Sequence, residues 1–257
     1  MKIAAIGNSH IGALKLGWDS ISKKHKDVEI TFFAAAREAL QDMELKDGKL
    51  VPTNDVLARR LEQFSNGVSA IDPEQYDAFF IVGGWKIFPV DKRTSTAVQS
   101  TIASDSFENT VGGNLAKLLR SATDKPIYLG HNPLRAQSKA FVKEFKSMSL
   151  SYAQRIDAVQ KVAQEHSVTV VSQPVKTRSS EFSTVEKYAK SSARLRSAQL
   201  NDVIEEKKKR NEKRIALGKK PLKIANPKKL SHGKNEKSHM NGDYGALYMS
   251  ALLSTMK

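Results

Sequence analysis

Short apolar runs alternate along the chain with longer segments of helical period. Five runs stand out: Lys2–Ile6, Val28–Phe33, Asp77–Val82, Pro126–Leu129 and Val168–Ser172. They are rich in β-branched and aromatic residues, and the most continuous of them are apolar at consecutive positions. A strand with one wet face alternates, whereas a strand covered on both faces does not, so these runs predict a buried parallel sheet. Between them, helical segments are predicted at His10–Ile21, Val56–Phe64, Val111–Ser121, Gln137–Lys146 and Tyr152–His166, with a closing amphipathic helix after Asn241. Strands and helices in alternation predict an α/β fold, a three-layer α/β/α sandwich around a mainly parallel five-stranded sheet.

Two stretches depart from this rhythm. Leu45–Val51, centred on Asp47-Gly48, predicts a small hairpin inside the crossover between the second and third strands,. Residues 176–235 follow the fifth strand and break the alternation. Within them Thr184–Leu217 contains neither Pro nor Gly and is rich in Ala, Lys, Glu, Arg and Leu, which predicts a helix stopped by Gly218,. Lys219–Lys234 carries Pro221, Pro227 and Gly233 and reads as a loop. The expected organisation is one α/β domain over 1–257, with 176–235 as a basic, largely helical insertion.

Charge sharpens that division. The net charge is +15, and Lys207–Lys237 holds thirteen Lys or Arg against Glu212 and Glu236, which is 13 − 2 = +11 in one segment. The basicity belongs to the insertion and not to the domain. Such a segment suits a polyanion, whether acidic glycan, nucleic acid or anionic membrane, or it is a solvated arm. No aromatic residue occurs from Asp202 to Asn241, so any nucleic-acid contact is expected to be electrostatic and without base stacking,. There is no cysteine, hence no disulfide or thiolate metal site,. The six histidines are scattered without ligand spacing, so no metal is expected,. No run approaches the length of a membrane span, and the first apolar run is too short for a signal peptide. The expectation is a soluble cytoplasmic protein.

The candidate chemistry lies at the two ends of the chain. Gly7-Asn8-Ser9-His10 follows the first strand, at the carboxyl edge where open α/β sheets place ligands,. Ser9 is there either as a helix cap or as an exposed nucleophile whose oxyanion the helix N-terminus stabilises. Glu236-Lys237-Ser238-His239 precedes the last helix. His239 has the chemistry of a general base, and Glu236 that of the carboxylate orienting it, with Asp243 as a substitute. Nucleotide binding at the first turn is not expected. Gly7 and Gly12 have P-loop spacing, but Ala13-Leu14 follows where Lys-Ser/Thr is needed,.

These two blocks resemble those of the SGNH (GDSL-like) hydrolase superfamily, in which an N-terminal Gly-Asp-Ser block carries the nucleophile and a C-terminal Asp-x-x-His block carries the acid and base. Here Asn8 replaces the first Asp and Glu236 the second. The resemblance implies a flavodoxin-like fold, a Ser9–His239–Glu236 triad and no cofactor, with Ser9 and His239 within reach of each other. The implied activity is a serine esterase, with an O-acyl carbohydrate as the expected substrate class, or an acyltransferase using the same residues. The family's oxyanion blocks are altered. Its glycine after the second strand is replaced by Ala34-Ala35-Ala36-Arg37, leaving a main-chain donor such as that of Ala35. Its Gly-x-Asn-Asp is replaced by Gly83-Gly84-Trp85-Lys86, with Trp85 in the asparagine's place. Gly84 and Trp85 therefore remain candidates, as do Asn8, His131 and Asn132 at neighbouring strand ends. On the rival reading, the lost asparagine has disabled catalysis and the basic insertion makes the protein a polyanion-binding module.

Overall fold

The computed structural model describes residues 1–36, 38–137, 148–192, 194–224, 231–233 and 235–256. The apolar runs form one five-stranded parallel sheet. Its strands are β1 (Lys2–Gly7), β2 (Glu29–Ala34), β5 (Ala78–Val82), β6 (Ile127–Gly130) and β7 (Val168–Val171), in the order β2-β1-β5-β6-β7. Each strand lies within a residue or two of its predicted bounds. The register aligns Gly7 with Val82, Val82 with Gly130 and Gly130 with Val171, so four strands end level at their carboxyl edge. The predicted hairpin is β3 (Met43–Lys46) with β4 (Lys49–Pro52), closed by Asp47 and Gly48, both at positive φ as a type I′ turn requires,.

Side-chain alternation splits the core in two. Ala4, Ile6, Phe79 and Ile81 face one side, where α2 (Asp55–Ser65), α3 (Thr96–Glu108), α4 (Val111–Ala122) and α5 (Tyr152–Glu165) bury residues such as Leu61, Phe107, Leu119 and Ile156. Ile3, Ala5, Phe80 and Val82 face the other side. There they meet Ile11 and Leu14 of α1 (Ile11–Ile21) and Tyr248, Met249 and Leu252 of α7 (Gly242–Thr255). The three-layer prediction therefore holds, and both site-bearing turns lead into the helices of the second face.

Two expectations change. The helix α3 was not predicted. Its small and hydroxyl residues bury only Ala103, Ser106 and Phe107, too narrow a stripe to show as a period,. The predicted helix Thr184–Leu217 begins only at Leu195, as α6 (Leu195–Ala216). Upstream, β8 (Arg178–Ser180) pairs with β9 (Ser183–Thr184), and Thr184 and Tyr188 are buried in the domain. The Thr184 hydroxyl donates to the Leu134 carbonyl and accepts from Gln173 Nε2. Long-range bonds thus override helix propensity here. Gly218, at positive φ, ends α6 as expected, with Lys219 N–H bonded to Arg214 O at 2.8 Å,. The predicted helix Gln137–Lys146 lies outside the described residues except for Gln137. Among the described residues no helix is long and apolar enough to cross a membrane.

The helices α1 and α7 touch backbone to backbone. A Cβ on Gly245 would run into the carbonyl of Ala13, and one on Gly17 would run into the backbone of Gly245 and Ala246. Neither clash is with a flexible side chain, so relief requires moving a helix. Gly245→Ala is expected to destabilise the protein by about 1–3 kcal/mol, the usual scale of overpacking. At roughly 2–4 °C per kcal/mol this is a measurable loss in Tm. Gly233→Ala, whose Cβ would meet nothing within 4 Å, should leave Tm unchanged. Equal Tm values for the two variants would refute the close helix contact.

Candidate functional site at the carboxyl edge of the sheet

The site begins where β1 ends. Gly7 has no room for a side chain, because a Cβ would strike the carbonyl of Val82 on the adjacent strand. The chain then turns tightly, with Ile11 N–H bonded to Asn8 O at 3.1 Å. Asn8 secures this turn from both ends of its amide. Its Oδ1 accepts from His10 N at 3.1 Å, and its Nδ2 donates to Asn132 Oδ1 at 3.1 Å, beyond the end of β6. Gly83, at φ 79°, lets the backbone after β5 pass close over the Asn8 side chain,. The cap role considered for Ser9 is not used, since α1 starts without a side-chain cap. Instead Ser9 Oγ lies 2.9 Å from His239 Nε2, across 230 positions of sequence.

His239 is held by the entry to α7. Asn241 caps that helix through Tyr244 N–H at 3.2 Å, and its Nδ2 donates to the carbonyls of Lys187 and Lys190. Ala136 N–H bonds Lys237 O at 2.9 Å from the other side. Glu236 Oε1 accepts from the amides of Ser238 and His239 at 2.6 and 3.2 Å. The same oxygen lies 3.5 Å from His239 Nδ1, an ion-pair spacing and not a formed hydrogen bond,. Burial by itself would raise the Glu236 carboxyl, but the Ser238 amide and the two nearby imidazoles hold it down to about 2. Asp243 is exposed in the first turn of α7.

Two further imidazoles flank His239. The ring of His10 lies 5.1 Å away and tilted, while that of His232 stacks on it at 4.1 Å and 16°. Burial, reinforced by His239, pushes His10 down to about 3, which keeps it neutral. His232 Nδ1 lies 3.8 Å from Glu236 Oε2. His232, Glu236 and His239 thus present three potential ligand atoms within 4.8 Å of one another. Read as a scattered set, the histidines give no hint of this. The clue in the sequence is the spacing of His232, Glu236 and His239 over eight residues.

The oxyanion candidates divide sharply. Ala35 is fully buried and its N–H is already bonded to Gly7 O at 3.2 Å, so that donor is spent. Trp85 is only 2 % exposed and packs edge-on against His131, 5.5 Å between ring centres, so it neither donates to the site nor stacks on a ligand. His131 is also interior. Gln173 N–H donates to Tyr152 Oη at 2.7 Å, and Tyr152 lies 2.6 Å from His131 Nε2. The hydroxyl proton and the remaining Nδ1–H then run on to His131 and to the carbonyl of Asn132. Burial pushes His131 down to about 4, against the opposing bond to Asn132. Its task is to fix the strand end and not to meet a ligand. Gly84, Asn8 and Asn132 remain at the surface. They line a polar cleft of about 730 Å³ together with Glu38, Gln41, Lys86 and the hydroxyl and amides around Asn109–Asn114. A second, more apolar recess of about 290 Å³ shares Lys86 and Asn132 and includes Ile87, Phe88, Leu134 and Phe182.

No family model and no curated protein matches the chain. Among solved structures, a DUF4886 family protein from Bacteroides uniformis aligns over 100% of this chain and 96% of its own. The identity is 11% and the TM-score 0.37. The water-forming NADH oxidase from Lactobacillus brevis, solved bound to NADH, aligns over 66% of this chain and 46% of its own. There the identity is 18% and the TM-score 0.16. Likenesses of this size carry no argument about the site.

The buried network makes a prediction about acid stability. His131 is held near 4 in the fold, against about 6.5 when unfolded,. Below pH 6.5 the unfolded chain takes up a proton that the folded chain refuses until about pH 4. Stability contributed by the neutral ring therefore falls as pH drops through that window and is level above it. Tm measured from pH 7.5 to 4 should fall most steeply below 6.5, and the slope should be shallower in His131→Gln. Parallel slopes would show that His131 does not titrate this way.

Proposed function

We propose that the protein is a serine hydrolase of the SGNH type that cleaves esters, with an O-acyl carbohydrate as the substrate class. The observation that carries this reading is the 2.9 Å contact of Ser9 Oγ with His239 Nε2, backed by Glu236 on the far side of the ring. In the reaction His239 Nε2 takes the Ser9 proton as Oγ attacks the acyl carbonyl carbon. The carbonyl electrons move to oxygen. Collapse of that intermediate breaks the ester C–O bond, and the Nε2 proton goes to the departing alcohol. Water, deprotonated by the same nitrogen, then releases the acid and restores Ser9. Glu236, ionised at neutral pH, attracts the imidazolium formed in each half-reaction and draws its Nδ1–H in from 3.5 Å,.

Three donors suit the oxyanion. They are the amide of Ser9 at the helix entry, the amide of Gly84 at φ 76°, and the side-chain NH2 of Asn132, whose Oδ1 is engaged by Asn8. Asn132 comes from the strand next to the one that carries the family's asparagine, so it supplies the same group from a neighbouring position. The cleft supports the substrate class. Amides and hydroxyls at Asn8, Gln41, Asn109, Thr110, Asn114 and Asn132 match the hydroxyls of a sugar, and the apolar recess beyond Asn132 suits the acyl chain,.

Ser9→Ala should lower turnover of a p-nitrophenyl ester by at least about a thousandfold, with Tm changed by no more than a lost cap would change it. Asn132→Ala should lower kcat by about 10²–10³ with KM little altered, the pattern of an interaction made mainly in the transition state. Wild-type turnover in Ser9→Ala would end the nucleophile assignment.

A second reading rests on the basic arm. Lys208, Lys209, Arg210 and Lys213 are exposed on α6, within the segment that carries +11. On this reading the arm binds a polyanion. Replacing Lys207, Lys208, Lys209 and Arg210 by Gln should leave cleavage of a small neutral ester nearly unchanged. In nucleic-acid binding, it should flatten the log–log salt dependence by about 0.7–0.9 per lost phosphate contact. Tight, salt-sensitive nucleic-acid binding by a wild type that cleaves no ester would make the second reading the better one.

A further inference from the structure

We propose that His232, Glu236 and His239 form a binding site for zinc, and that zinc bound there switches off His239 as a base. The switch rests on the serine-hydrolase reading; the binding site does not. The ligand set is two imidazoles and one carboxylate, a combination that suits zinc and leaves one position for water, whereas magnesium and calcium prefer oxygen donors alone.

The geometry is close to that of a bound ion. Zn–N and Zn–O bonds of about 2.0–2.2 Å in a tetrahedral shell set neighbouring ligand atoms roughly 3.3–3.5 Å apart. His239 Nδ1 and Glu236 Oε1 are already at 3.5 Å, and His232 Nδ1 and Glu236 Oε2 are at 3.8 Å. All three ligand atoms lie within 4.8 Å of one another. The stack of the two rings at 4.1 Å brings both Nδ1 atoms to the same carboxylate. At an interplanar angle of 16° the two lone pairs lie in nearly parallel planes, so the rings must tilt towards each other to share one ion. The backbone of His232 is anchored through its N–H to Ser192 O at 3.0 Å, which leaves its side-chain torsions to make that tilt.

The consequence for the base follows from the tautomer. His239 accepts the Ser9 proton at Nε2 only if its resident proton is on Nδ1. Zinc takes the Nδ1 lone pair, so the neutral metal-bound ring carries its proton on Nε2. That N–H then donates to Ser9 Oγ and has no lone pair with which to accept. Glu236 is at the same time diverted from the ring to the ion. One ion thus disables the base and its carboxylate together, with Ser9 itself untouched.

The test uses the full chain after chelator treatment. Titration calorimetry with Zn²⁺ should give one site per chain in the wild type and in Ser9→Ala, weakened at least tenfold in His232→Phe and in Glu236→Gln. Co²⁺ should give the visible absorption of a tetrahedral N/O site, absent in the same two variants. Phe preserves the ring stack but removes the ligand atom, and far-UV circular dichroism checks that each variant is folded. Zn²⁺ should inhibit ester cleavage by the wild type, reversibly with EDTA. In His232→Phe, inhibition relative to that variant's own metal-free rate should need at least tenfold more zinc. Failure to bind zinc, binding unaltered in His232→Phe, or inhibition equally potent in that variant would each overturn the proposal. If the wild type cleaves no ester, the hydrolase reading and the switch fall, while calorimetry on wild type and Ser9→Ala still decides the metal site.

Discussion

Everything at the candidate site depends on how closely α1 and α7 approach. α1 starts just after Ser9 and α7 just after His239, so the spacing of the two helices governs how far apart serine and histidine stand. Gly17 and Gly245 let the backbones touch, and a side chain at either would push the helices apart. The 2.9 Å contact tolerates little of that. The serine–histidine contact is therefore set by rigid elements packed against the sheet. Flexible arms reaching across a gap would not hold such geometry, because positioning errors of an ångström already cost orders of magnitude in rate.

A second constraint is the level ending of four strands. With Gly7, Val82, Gly130 and Val171 in register, the turns that follow β1, β5 and β6 open at the same height. The sheet order places β1 beside β5, where the direction of winding reverses and α/β sheets leave a crevice,. Buried polar groups then fix the rim. The relay from Gln173 through Tyr152 and His131 to the Asn132 carbonyl satisfies each interior donor in turn and leaves the Asn132 amide facing Asn8,. Tyr248 of α7 closes the same edge by donating to Val171 O at 3.0 Å, so the helix that carries His239 is also pinned to the sheet.

The electrostatics are arranged locally. Glu236 is an ionised carboxylate among three imidazoles, of which His10 stays neutral through burial. Much of the chain's positive charge is carried elsewhere, for example by Lys208, Lys209, Arg210 and Lys213, exposed on α6. The two meet at one place. His232, which follows the basic helix in sequence, stacks on His239, so the insertion contributes a residue to the site.

Much of this was legible in the chain. The five strands and most helices follow from apolar period and β-branched composition, which are local properties, and the ends moved by only a residue or two. Ser9, His239 and Glu236 stand out in the sequence through the family resemblance of their two blocks, and the structure brings Ser9 Oγ within 2.9 Å of His239 Nε2. What the local pattern does not contain is direction and competition. Ala35, Trp85 and His131 sit at the expected strand ends, yet the first has its amide bonded to Gly7 and the other two turn inward. Thr184–Tyr188 has helical propensity but is held by partners distant in sequence. α3 hides because few of its residues need burial. His232 joins the site only through its ring stack on His239 and its place beside Glu236. Propensity and period are set by neighbours along the chain, whereas hydrogen-bond partners, side-chain direction and ring stacking are set by neighbours in space, and those exist only once the helices have packed.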